Sequence, residues 1–260
     1  MNIGTYITVA AFGLVIGSFL NVVIYRLPLG MSVAAGRSFC PSCKTQLKWY
    51  HNIPVLSYLA LRGKCGFCHA HISIRYPLVE LLTAACGLYL LWQYHLSIPF
   101  YVFSALCCAL IVIFFIDLDH QIIPDWITLP GIVAGLAASF VPGGIGILQS
   151  AIGLVVGGGS LFLAAVIGEK LFKKEAMGGG DIKMAAMLGA FLGWQKVLLL
   201  FMAAAAIGLV VSIIWMALSA KLRKERLIPF GPFLALGAML AIVYGDRLIQ
   251  FYVQNFLHGN

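Results

Sequence analysis

Eight stretches of this 260-residue chain are apolar over a membrane-crossing length or close to it: 3–25, 77–94, 98–116, 126–141, 147–167, 182–194, 197–220 and 231–244. Hydrocarbon offers a peptide group no outside hydrogen-bond partner, so such stretches fold as helices. About 20 apolar residues cross a bilayer. The chain therefore reads as an all-α polytopic membrane protein with about eight transmembrane helices. The stretch 182–194 is short for a crossing and reads as tilted, half-buried or re-entrant. The last stretch extends into an amphipathic tail, 246–257. Composition agrees: 62% of residues are hydrophobic and 10% charged, against about 25% charged in a soluble domain. The first apolar run is longer than a signal-peptide core and lacks a basic leader, so no cleavable signal is expected.

The net charge of +8 is a topology signal, and no nucleic-acid partner is expected. Fifteen of the 17 basic residues fall in three loops: 26–76, the segment around Lys170, Lys173, Lys174 and Lys183, and the segment holding Lys221, Arg223, Lys224 and Arg226. Only Lys196 and Arg247 fall on the other side. Cytoplasmic loops carry the excess of Lys and Arg, so these loops are placed in the cytoplasm and both termini outside. Three parts follow: a first span, 1–25; a cytoplasmic module, 26–76; and a seven-span membrane core, 77–260.

The module holds Cys40-Pro-Ser-Cys43 and Cys65-Gly-Phe-Cys68. Two such knuckles offer four thiolates to one tetrahedral ion. A segment this small buries little core, so structural zinc would supply its folding energy. A redox dithiol pair and incidental cysteines are the competing readings, and a reducing compartment disfavours disulfides. Cys86, Cys107 and Cys108 are read as packing residues inside spans, and His51, His69 and His71 as surface residues.

Met177-Gly178-Gly179-Gly180-Asp181-Ile182-Lys183 places a carboxylate where a glycine loop enters the sixth apolar stretch. A charged patch that includes Glu169 and Glu175 precedes it. Asp117-Leu118-Asp119-His120 ends the third stretch. Ionisable groups at membrane depth are costly, and function is their default reading. Asp117 and Asp181 lie at the same membrane surface in this topology. Two facing aspartates can share a proton, one acting as base on water and the other as acid on a scissile amide. Asp181 opens a helix and Asp117 closes one, so the helix dipoles assign Asp181 as the base and Asp117 as the acid. Asp125 reads as a helix N-cap. Asp119 reads as a solvated end residue or an outer partner.

Glycines recur four apart at 13/17, 131/135, 153/157 and 189/193, and are read as close helix packing within the chain. No convincing internal repeat is evident. Gly157-Gly158-Gly159 lies inside a span and lacks the strand context of a nucleotide fingerprint.

The chain resembles the type IV prepilin peptidases, membrane aspartyl proteases of the Gly-x-Gly-Asp class. The resemblance rests on Gly17-Ser-Phe-Leu-Asn21 through Arg26-Leu-Pro28, both cysteine knuckles and Arg75-Tyr-Pro-Leu-Val-Glu80. It also rests on Asp117-Leu-Asp-His120 with Ile123-Pro-Asp125, Gly178 to Lys183, and Pro229-Phe-Gly-Pro232. It implies Asp117 and Asp181 as the catalytic pair, with Gly178, Gly180 and Lys183 supporting the loop, and Cys40, Cys43, Cys65 and Cys68 as zinc ligands. It further implies a bacterial inner-membrane enzyme that removes the short basic leader of prepilins or pseudopilins after a glycine at the cytoplasmic face. Methylation of the new N-terminal amine with S-adenosylmethionine is implied as well, at a site the residues do not locate. A peptidase lacking the methyltransferase, a transporter and a zinc-bearing scaffold are the alternatives.

Overall fold

The computed structural model describes residues 2–173, 177–218 and 229–257. Lys174, Glu175, Lys221, Arg223, Lys224 and Arg226, used in the charge argument, lie outside the described residues. The regular secondary structure of the described residues is helical, apart from two isolated antiparallel bridges in the cysteine module. The helices are α1 (Ile3–Arg26), α2 (Leu56–Ala60), α3 (Arg75–Tyr94), α4 (Ile98–His120), α5 (Asp125–Ala138), α6 (Ile147–Phe172), α7 (Gly179–Leu218) and α8 (Gly231–Tyr252). Among the described residues, five helical stretches are long and apolar enough to cross a membrane: Ile3–Leu29, Ile98–His120, Ile147–Leu171, Gly179–Trp215 and Gly231–Asn255. With 14 residues, α5 is only about 21 Å long, shorter than the hydrocarbon core. The chain divides into two compact units, Met1–Ile116 and Asp117–Asn260.

In the first unit α1 packs on α3 through two glycines. A Cβ on Gly13 would stand 2.6 Å from the Ala84 Cα, and one on Gly17 2.6 Å from the Glu80 Cα. Asn21 is buried and donates to the carbonyls of Gly17 (3.2 Å) and Tyr76 (3.1 Å), tying the two helices together. Arg26, counted above among the loop charges, is 5% exposed. Its guanidinium donates to the carbonyls of Ser32, Ala35, Gly36 and Arg37 at 2.6–3.3 Å. Its charge thus organises the start of the module instead of facing water, consistent with a fork of rigid donors.

In the second unit α7 is broken at Gly193, whose φ of 78° and ψ of 166° interrupt the helix. Residues 179–192 run against α6 and α5. The Gly153 and Gly189 backbones touch there, Gly157 touches Ala185, and Ser150 donates to the Ala190 carbonyl at 2.6 Å. Gly135 meets Ala190. Beyond the break, Lys196 pairs with Asp246 at 2.8 Å, Gly237 meets Leu200 and Ala204, and Gly208 meets Phe233. Residues 194–218 therefore fold back antiparallel to α8. The direction changes at Gly193, one residue before the sixth apolar stretch was expected to end. All four glycine pairs serve helix packing. The expected amphipathic tail continues α8 as far as Tyr252.

Candidate functional site

Asp117 lies in the last turn of α4 and is 5% exposed. Asp181 lies in the first turn of α7. Both belong to the second unit. Asp117 accepts a hydrogen bond from the Gly231 N–H at the start of α8. Asp181 accepts one from the Gly178 N–H, and its own N–H donates to the Gly178 carbonyl at 3.1 Å. The two carboxyl groups interact electrostatically. The Asp181 Oδ1 is buried and has no hydrogen-bond partner, an unusual condition for a buried acceptor.

Three loops converge to make this arrangement. A Cβ on Gly180 would stand 2.9 Å from the Ile123 Cβ, and one on Gly231 would stand 2.5 Å from the Asp117 Oδ2 and 3.0 Å from the Ile123 Cδ1. Ile123 is thus the wedge between the glycine loop and α8. Gly179 has nothing within 4 Å of its Cβ direction. Of the three glycines, Gly179 is the one facing open space, Gly178 contacts the Asp181 side chain, and Gly180 is fixed by packing.

Lys183 makes a bidentate ion pair with Asp125 at 2.8 Å. Asp125 is therefore not the N-cap expected from sequence. Pro124 holds the cap position and no side chain caps the helix; the Asp125 carboxylate turns instead to Lys183 on α7. Asp119 is exposed, whereas Asp117 is buried. The dipole argument for the acid and base also loses its contrast. Both carboxylates face a helix N-terminus, Asp181 that of α7 and Asp117 that of α8, because the Gly231 contact is long-range. Gly231 and Ile123 carry no ionisable group, and sequence reasoning gave neither a role. The signal was the Pro-Phe-Gly-Pro turn at a helix start, where a residue lacking a side chain lets another group approach.

The first unit presents a second cluster. The sulfurs of Cys40, Cys43, Cys65 and Cys68 all lie within 4.8 Å of one another, with Cys40 and Cys68 at 3.9 Å. Zinc–sulfur bonds in a tetrahedron require sulfur spacings of about 3.8 Å, so the set fits one metal ion. All seven cysteines are free of disulfides. The Thr45 side chain, followed by its backbone N–H, holds the Cys43 thiol down to about 6, so this ligand is ready as thiolate at neutral pH. Backbone N–H groups of Cys68 and Phe67 likewise lower Cys65.

The two knuckles repeat each other. Cys40 N–H donates to Thr45 and Lys44 N–H to Cys40; Cys65 N–H donates to Ala70 and His69 N–H to Cys65. Leu47 to Ser38 matches Ile72 to Gly63, and the bridge Phe39–Gln46 matches Lys64–His71. Lys44 and His69 both have a positive φ, 59° and 58°. An internal repeat thus exists in backbone geometry that residue identity conceals outside the cysteines. His51, expected at the surface, is half-buried between Tyr50 and Phe67, with ring centroids at 4.5 and 5.2 Å.

A helical membrane protein with an interacting pair of aspartates is, by its comparisons, a peptidase. The family model described as "Bacterial Peptidase A24 N-terminal domain" matches residues 11–94, and the one described as "Type IV leader peptidase family" matches residues 104–213. Three relatives are each named "Prepilin leader peptidase/N-methyltransferase". The protein of Legionella pneumophila is 34% identical over 95% of this chain and 94% of its own length. That of Myxococcus xanthus is 46% identical over 78% of this chain and 60% of its own length. That of Pseudomonas putida is 35% identical over 94% of this chain and 92% of its own length. No solved structure matches. The chain belongs to the type IV leader peptidase family.

Proposed function

We propose that Asp117 and Asp181 hydrolyse the leader peptide of a prepilin or pseudopilin at the cytoplasmic face of the bacterial inner membrane. The observation that carries this reading is the interacting pair, one member holding a buried oxygen without a partner. Two such groups share one proton and titrate as a unit. The ionised member takes a proton from water, and the water oxygen attacks the scissile carbonyl carbon. The protonated member gives its proton to the carbonyl oxygen; the member that took water's proton then passes it to the amine nitrogen as the C–N bond breaks, and a diol hydroxyl returns its proton to the other carboxylate. A scissile segment must be extended to expose its carbonyl, and glycine at the cut weakens the substrate's helix. Gly178 and Gly180 support the loop, with Lys183 anchoring it through Asp125.

The same reading places eight spans across the bilayer, with the cysteine module and the carboxylates on the cytoplasmic side. It divides the chain as 1–25, 26–76 and 77–260. It assigns zinc to the four cysteines, where the ion would crosslink the two knuckles. The relatives' names add methylation of the new N-terminus, for which S-adenosylmethionine supplies an electrophilic methyl group. The test uses the pure protein in detergent with a prepilin. Cleavage is expected without a sealed vesicle, and none from Asp117→Ala or Asp181→Ala. Cleavage by either variant at a rate near that of the parent would sink the pairing. Cleavage without any mass gain in the presence of the methyl donor would leave a peptidase alone.

A further inference from the structure

The first unit encloses a cavity of about 380 Å³ between α1, the cysteine module and the start of α3. That is the size of a site for one small organic molecule. None of its lining residues belongs to the carboxylate site. They lie between Ser18 and Glu80, inside the 11–94 match and outside the peptidase match.

The cavity holds unmet polar atoms. Asn21 is 2% exposed; its amide nitrogen is engaged, yet its Oδ1 is buried with no partner. The His51 Nδ1 is also buried with no partner. Glu80, 6% exposed, accepts from the Val55 N–H at 2.7 Å. Val55 is held at a φ of 59°, a costly conformation for a β-branched residue. Native proteins leave few buried acceptors unmet, and each calls for an explanation.

We propose that this cavity is the binding site for S-adenosylmethionine, with Asn21, His51 and Glu80 as its polar contacts. The proposal rests on the methyl-transfer reading above. The unmet group on Asn21 is an acceptor, and Glu80 adds a carboxylate. Arg75 and His71 line the same cavity, so it offers both signs of charge and suits a zwitterionic ligand rich in donors. The methyl donor carries an amino purine, two ribose hydroxyls, an ammonium, a sulfonium and a carboxylate. Tyr58 at the wall offers a ring face, which attracts cations, whereas the Tyr76 ring already carries the Arg75 guanidinium at 5.7 Å from its centroid. In the transfer, the substrate ammonium first gives one proton to solvent. The amine lone pair then forms the N–CH₃ bond while the S–CH₃ bond breaks. Sulfur keeps that bonding pair as a neutral thioether, and the positive charge passes to the secondary amine.

The test is equilibrium binding of labelled S-adenosylmethionine to the full chain in detergent, with photocrosslinking and peptide mapping. Saturable binding of one donor per chain is expected, with crosslinks between residues 18 and 80. His51→Leu and Glu80→Gln should each weaken binding at least tenfold. Ser57→Trp, which fills the cavity from α2, should abolish it while metal content and melting temperature hold. If the parent methylates a mature pilin N-terminal peptide while His51→Leu and Glu80→Gln bind donor as it does, the cavity assignment is wrong and the methyltransferase stands. Crosslinks confined to residues 117–260 would mean the same. A parent that neither binds the donor nor methylates overturns both.

Discussion

A single hydrogen atom on Gly231 makes room for the Asp117 carboxylate. Gly231→Ala would place a methyl group against the Asp117 Oδ2, and displacements of about 1 Å at a reacting group cost on the order of 100-fold in rate. Prepilin cleavage by this variant should fall by roughly that factor, with the protein still inserted and its helix content unchanged. Gly179→Ala is the contrasting case. No atom lies within 4 Å of its Cβ direction, so circular dichroism and melting temperature should match the parent. Lys183→Met removes a pair whose side chains are 40% and 51% exposed. Its effect on stability should stay within about 1 kcal/mol, and a double-mutant cycle with Asp125→Asn measures the coupling. These residues differ in how far the sequence discloses them. Asp181 stands out because a charge follows three glycines into an apolar run. Gly231 does not, because its role is to be small beside a residue more than 100 positions away (117 against 231).

At the level of elements, glycine spacing was the most informative pattern, since each pair predicted close packing and each is in contact. The break in α7 was harder to place. Hydropathy drops at Gln195-Lys196, between the stretches ending at 194 and starting at 197, and the backbone angle sets the reversal at Gly193. Gly193→Ala should destabilise the protein by about 1–3 kcal/mol, because a positive φ with ψ near 166° is a conformation essentially confined to glycine. Gly153→Leu should be worse, since backbone already touches backbone there; loss of the folded form in detergent melting would report it. In the cysteine module the spacing disclosed the ligand set but not the duplicated hydrogen bonds. Those involve peptide groups whose side chains are free to differ. Thr45→Ala removes the side-chain bond that keeps Cys43 ionised. The folded Cys43 thiol lies below its ordinary range, so acid that protonates it weakens metal binding. The variant should release metal at a higher pH than the parent, read with a chromogenic chelator.

On the scale of the molecule, two compact units divide the chain after residue 116; the first family match ends at 94, inside the first unit, and the second starts at 104 and runs across the division. One metal per chain is expected by elemental analysis, and Cys65→Ser should lose it. Its removal should lower the melting temperature, because a short module without a large core depends on the crosslink. The apolar stretches and the four cysteines were readable because lipid and metal each impose a strict residue pattern. The burial of Arg26 was not, since the partners that hold it are backbone carbonyls, which every residue possesses.

The reversal at Gly193 decides parity. A helix continuing straight through 37 residues would reach about 55 Å and deliver the following segment to the far side of a bilayer. Folding back returns residue 208 beside Phe233, at the end of the unit where Gly231 meets Asp117. The topology proposed above puts the basic segments around 170 and around 224 in one compartment, which requires an even number of passes between them. The orientation of the C-terminal third thus hinges on one residue that carries neither charge nor side chain.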